Sequence, residues 1–219
     1  MPPARKARRL GLVLALLGAA SLPLLAQAPE TRLSRCGVVR AQAVVDSVFL
    51  DRTATSGAIG GGDWASYLMA RLGAPLPDTT AIAVAVDTEH ITMSGRIKDL
   101  PDEAQAMLGS LAALVDPNTV LTADIVLLPA EKGLSHFRLR GVNIGAYPVP
   151  DVVLHSMLLD VGERYPALTK SGRDLYVQIP TDGRVTLAPG AVRLEAPRRA
   201  ASADPRPAAS SGESCRPSP

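Results

Sequence analysis

Reactive chemistry is what this sequence has least of. Across 219 residues it carries one tryptophan, four tyrosines, two phenylalanines, three histidines and two cysteines. Neither Cys36 nor Cys215 stands beside a histidine, a helix start or a second close cysteine that would lower its pKa, which argues against redox or thiol catalysis. No two histidines are spaced four apart on a helix pattern, so His90, His136 and His155 predict no metal site. The Gly-x-Ser-x-Gly turn that delivers a serine nucleophile is missing, and Gly60-Gly61-Gly62 is followed by no Lys-Ser/Thr pair, which excludes a phosphate loop. Charge of one sign is lacking too. There are 23 Lys+Arg against 21 Asp+Glu, and Arg5, Lys6, Arg8 and Arg9 alone exceed the net +2. A nucleic-acid partner is therefore not expected. These absences point away from an enzyme and from any cofactor.

What the chain does have begins with an address. Positive residues 5–9 precede an apolar run over 10–26, the form of an export signal. The run is at the short edge of a membrane span, and Pro23 would break a longer helix. Ala26-Gln27-Ala28 has the small-x-small form of a cleavage site, although Pro29 would follow the cut. Residues 1–28 thus read either as a removed signal peptide or as a retained anchor in the inner membrane. In both cases the domain is periplasmic or extracellular, because the positive flank stays inside. In that oxidising setting Cys36 and Cys215 are candidates for a disulfide, if their Cα atoms come within about 7 Å.

Residues 29–62 read as an N-terminal segment ending in a Gly-rich loop, 63–196 as the folded domain, and 197–219 as a disordered Pro/Ser/Ala-rich tail. Within the domain, Asp63 is placed to cap a helix whose Trp64, Leu68 and Leu72 share one face. Ile82, Val84 and Val86 alternate with alanines, and Ile91, Met93 and Ile97 alternate with polar residues, predicting a hairpin. Pro101-Asp102-Glu103 opens a helix with an apolar stripe through Met107, Leu108, Leu111 and Val115. A second hairpin follows over 119–147. In it the apolar phase slips at Gly141 from Phe137 and Leu139 to Val142 and Ile144, the mark of a β-bulge. His90 and His136 fall on the wet faces of these strands. Next comes a helix striped by Leu154, Met157, Leu158, Val161 and Tyr165, with His155 four residues after Asp151 as a surface pair. Short strands around Val177, Val185 and Val192 close the domain. The order predicts a single α+β domain, a curved antiparallel sheet wrapped against two or three helices.

Apolar stripes are core first, and that reading suffices for any one of them. Their sum suggests more: strands apolar on both faces, helices with small or apolar backs and few aromatics to fill space leave room for an apolar groove. Its candidate lining is Met93, Met107, Leu108, Leu111, Leu154, Met157, Leu158 and Val161. The expected occupant is a lipid or another long apolar molecule. The alternative is a membrane-tethered envelope interaction or scaffold protein with a filled core and no ligand. Its working surface would be a sheet edge or the strand bearing Arg138 and Arg140.

The stretch Phe137-Arg138-Leu139-Arg140-Gly141-Val142-Asn143-Ile144-Gly145-Ala146-Tyr147-Pro148-Val149-Pro150, with the following helix and Val177-Gln178-Ile179-Pro180, resembles YpmS-like small membrane-anchored or secreted bacterial proteins. The helix from Asp63 and the hairpin with Gly95 are similar to that family's early parts, so the resemblance covers roughly residues 63–195. Such proteins are distantly similar to tubular lipid-binding (TULIP-like) domains, in which a curved sheet wraps a long helix around lipid. The resemblance implies a lipid carrier or sensor outside the cytoplasm. It carries over no lipid-contacting residue, and the tail and the two cysteines lie outside its pattern.

Overall fold

The computed structural model describes residues 31–198, apart from 75, 77–78, 110–114, 166–167 and 170. The expected signal at 1–28 lies outside the described residues, as do residues 199–219 of the expected tail, Cys215 among them. No helix among the described residues is long and apolar enough to cross a membrane.

Helices pack on two antiparallel sheets, the expected α+β class. The larger sheet runs in the order β1 (Thr31–Ser34), β3 (Thr79–Val86), β4 (His90–Arg96), β5 (Val120–Leu128), β6 (Leu134–Ile144), and its last strand is shared. Both β7 (Tyr147–Pro148) and β8 (Asp174–Gln178) pair with β6, at its opposite ends. The β3–β4 turn is closed by Asp87, whose carboxylate accepts from the Glu89 and His90 N–H groups at 2.7 and 2.6 Å. The register places Val84 opposite Met93 and Ile91 opposite Ile125, so one face of the sheet is aliphatic. In β6 the register slips as expected: Leu139 faces Ile125 and Gly141 faces Asp124, leaving Arg140 as the extra residue of a bulge.

The smaller sheet, β2 (Ser56–Gly60), β10 (Ala191–Glu195) and β9 (Arg184–Ala188), corrects the expected layout. Residues 53–62 are not a loop. Ser56–Gly60 is a strand whose Ile59 pairs with Val192 of the central strand, and Gly61 and Gly62 begin the next helix. A run of glycines reads as a turn, but here β10 supplies hydrogen-bond partners that local sequence does not reveal. The 29–62 boundary moves for the same reason, since the folded domain already includes β1, α1 (Arg35–Val45) and β2.

Helix α1 starts at Ser34, whose hydroxyl accepts from the Gly37 N–H at 3.0 Å, and it continues as a π-helical turn over Asp46–Leu50. Helix α2 (Gly61–Leu72) ends on left-handed Gly73. Asp63 does not cap it. It lies inside the first turn and takes a forked ion pair from Arg40 of α1, at 2.6 and 2.9 Å. The two helices press together at Gly37, where a Cβ would stand 2.8 Å from the Asp63 carboxylate and 3.0 Å from the Ser66 hydroxyl. Core residues Ala41, Val48, Trp64, Val84, Val192 and Leu194 are sealed here, between the small sheet, the helix pair and the large sheet. Helices α3 (Asp102–Leu108) and α4 (Asp151–Arg164) each begin after a proline, Pro101 and Pro150.

Candidate functional site

Helix α2 lies against the aliphatic face of the large sheet but does not fill the space between them. A cavity of about 190 Å³ remains. Ala65, Leu68, Met69 and Leu72 form its helix wall, continuing the stripe that begins at Trp64. Ile91, Met93, Ile125, Phe137 and Leu139 form its sheet wall. Leu168, Gly172, Arg173 and Leu175 close one side. Three aromatic residues cluster at it: Trp64 stacks on Tyr67 at 5.6 Å and tilts against Phe137 at 5.9 Å.

Arg173 is the only charged side chain among the described lining residues, and several contacts fix its position. Its carbonyl accepts from the Leu139 N–H at 2.9 Å, beside the bulge. Gly172 is pressed on the last turns of α4, where an added Cβ would stand 2.0 Å from the Leu158 carbonyl oxygen, and its φ of +67° favours glycine in any case. The guanidinium reaches the first residue of α4, donating from Nη2 to Asp151 at 2.8 Å. Asp151 thus pairs with Arg173. The expected surface pair with His155 is not the contact it makes.

Two buried side-chain polar atoms among the described residues have no hydrogen-bond partner, Trp64 Nε1 and Arg173 Nε. Both belong to residues that line the cavity.

Of the expected groove residues whose side chains are described, only Met93 lines this cavity. Leu108, Leu154 and Leu158 are buried elsewhere, and Met157 and Val161 are half-buried on α4, outside the lining. Leu111 and the Met107 side chain lie outside the described residues. The cavity is lined from α2 and, among the described residues, not from α3 or α4. Both helices carry stripes at the same spacing, and only the order in which they dock on the sheet separates them. The signal for Leu68, Leu72, Phe137 and Leu139 was visible as stripes and alternation; nothing in the sequence marked Arg173.

His136 is not on a wet face. It is buried, stacks on Tyr176 at 4.3 Å, and its Nε2 lies 2.6 Å from Asp174. Arg138 donates to the same carboxylate oxygen at 2.7 Å. Burial raises the Asp174 pKa, but the hydrogen bonds from Arg138 and His136 outweigh it, and the group stays below its ordinary value. This cluster pins β8 to β6 on the face opposite the cavity, where the β8 pairing supplies the cover that the alternation alone did not foresee. His90 is half-buried, with Nδ1 3.6 Å from Asp124. Among the described residues no three His, Cys, Asp or Glu side chains converge as metal ligands. Cys36, in the first turn of α1, is not a free thiol, while Cys215 lies outside the described residues.

No protein-family model matches this chain, and no curated protein or solved structure matches it.

Proposed function

We propose that this is an exported, noncatalytic protein that binds an apolar molecule between α2 and the large sheet. The cavity under α2 is the observation that carries the reading, because close-packed interiors do not leave aliphatic voids of this size without cost. Its volume bounds the occupant. An engineered apolar cavity of about 150 Å³ holds benzene, and drug-sized ligands occupy about 300–1,000 Å³. The space suits a ring, a short aliphatic chain or the end of a longer acyl chain, each buried methylene contributing about 0.8 kcal/mol. The resemblance to YpmS-like and tubular lipid-binding proteins supports a lipid as the source of that chain, and the N-terminal apolar run supports a place at or beyond the inner membrane. The cavity weighs against the scaffold alternative, which requires a filled core.

Native mass spectrometry of protein purified from a membrane-bearing host tests this, with solvent extraction to identify the cargo. The expected result is a bound apolar molecule at defined stoichiometry, lost in Leu68→Trp, which fills the cavity from the helix wall. A clean mass that persists after incubation with mixed lipids would overturn the reading, as would unchanged loading of Leu68→Trp. Leu158→Asp and Leu108→Asp are poor tests of loading, because neither residue lines the cavity and a buried carboxylate there damages the fold instead.

A further inference from the structure

The orphaned N–H groups say what kind of apolar molecule the cavity takes. Buried polar side-chain atoms in native proteins nearly always find a partner, because stripping a donor of water without replacing the acceptor is costly. Among the described residues the exceptions are Trp64 Nε1 and Arg173 Nε, and both residues line the same cavity. Trp64 is 1% exposed, so bulk solvent does not serve its indole N–H. Arg173 spends its Nη2 on Asp151, at the protein surface, and its Nε is left without an acceptor inside. Every other described lining residue is aliphatic, aromatic, methionine or glycine. A site with donors only, one of them cationic, and otherwise apolar walls is complementary to an acceptor-only anionic head on a hydrocarbon body.

We infer that the cavity binds a carboxylate with a short aliphatic tail, or the carboxylate end of a fatty acid, with its head oxygens accepting from Arg173 and Trp64 and its tail among Leu68, Met93 and Leu139. This rests on the proposal that the cavity is a ligand site and adds the chemical class of the ligand. A neutral lipid tail would leave both donors unpaired. Arg173 is well placed to hold a head group, since the Leu139 N–H and the Asp151 carboxylate fix it from two elements.

Titration calorimetry of the whole protein with octanoate and with 1-octanol tests the inference at a pH where octanoate is ionised. The two probes share a tail and differ in the head. Because Trp64 is the only tryptophan in the chain, its fluorescence reports independently on entry into the cavity. Octanoate is expected to bind at least about tenfold tighter than octanol, the size of one charge-assisted hydrogen bond. Arg173→Met, which keeps the stem and removes the donors, should erase that preference while leaving octanol binding in place. Trp64→Phe, which keeps a ring in the aromatic cluster, should reduce it in part. Equal affinity of the wild-type protein for both probes overturns the carboxylate inference and leaves the apolar site standing. Preference for octanoate that survives both substitutions overturns the assignment of the two donors. Binding of neither probe, with no change in Trp64 emission, overturns the apolar-site reading itself.

Discussion

Around α1, α2 and the small sheet, Ala41, Val48, Val84, Val192 and Leu194 are sealed from solvent, whereas along β5, in the interior of the large sheet, every residue from Leu121 to Leu128 is only half-buried. The residue types do not explain the difference, because β5 is as aliphatic as β3 or β10. Layering does. At the first end a helix pair is held between two sheets, and Gly37 lets the helix backbones approach closely. At the other end, the helix Asp151–Arg164 meets the large sheet at β6. The cavity lies on the border between these ends, under the part of α2 that extends beyond the sealed core. A protein that must be stable and also keep an opening for a ligand benefits from that division, since stability resides mainly in the closed end and access in the open one.

The contrast is broken most directly by truncation. Leu194→Ala should cost about 4 kcal/mol of unfolding free energy, and Leu121→Ala on half-buried β5 about 1 kcal/mol, as urea titration would measure. Equal losses would show that the two ends are packed alike. Next in size, Gly37→Ala should destabilise by about 2 kcal/mol through overpacking of α1 on Asp63 and Ser66. Gly141→Ala provides the contrast at the bulge: a Cβ there meets nothing within 4 Å and the effect should be close to neutral.

A pH titration sharpens the comparison at the β6–β8 junction. Asp174 has its pKa held below the ordinary carboxylate value in the folded state, so the folded protein binds fewer protons there than the unfolded chain as acid is added. The stabilisation is present above the unfolded pKa and is lost as pH falls through the lower folded value, below about pH 4. Asp174→Asn should lower stability at neutral pH by about 1–2 kcal/mol, and part of the wild-type acid sensitivity should go with it. Thermal melts of the two proteins from pH 7 to pH 3 would diverge most at the neutral end. A small effect is expected at Asp151→Ala, whose carboxylate is largely exposed: about 0.5 kcal/mol or less in stability, on the surface-pair scale. A larger loss would mean that α4 is held to the sheet by this pair and not by Leu154 and Leu158.

Much of the fold was legible. The β3–β4 hairpin, the β5–β6 pair, the bulge after Leu139 and the helix starts at Pro101 and Pro150 are all local events, fixed by alternation, turn chemistry and caps. In the small sheet β9 and β10 were legible and β2 was not. Residues Ser56–Gly60 have the composition of a loop and become a strand because β10, more than 130 positions later, lies beside them. The apolar stripes were legible but not which of them borders the cavity, because Leu68 on α2 and Leu158 on α4 look alike in sequence. His136 was misjudged for a related reason: alternation puts it on the outer face correctly, but Tyr176 and Asp174 of β8 then cover it.

The sequence by itself determined the elements and the class of the fold, since periodicity, prolines and glycines act over a few residues and need no partner. It also determined that the interior would be aliphatic and poor in reactive groups. Which helix stands off the sheet, and so where the cavity opens, was decided only in three dimensions. So was the presence of Trp64 and Arg173, each with a buried N–H that has no acceptor, in the lining of one cavity, because residues more than a hundred positions apart share a lining only through docking, and docking depends on how many layers cover each part of the sheet.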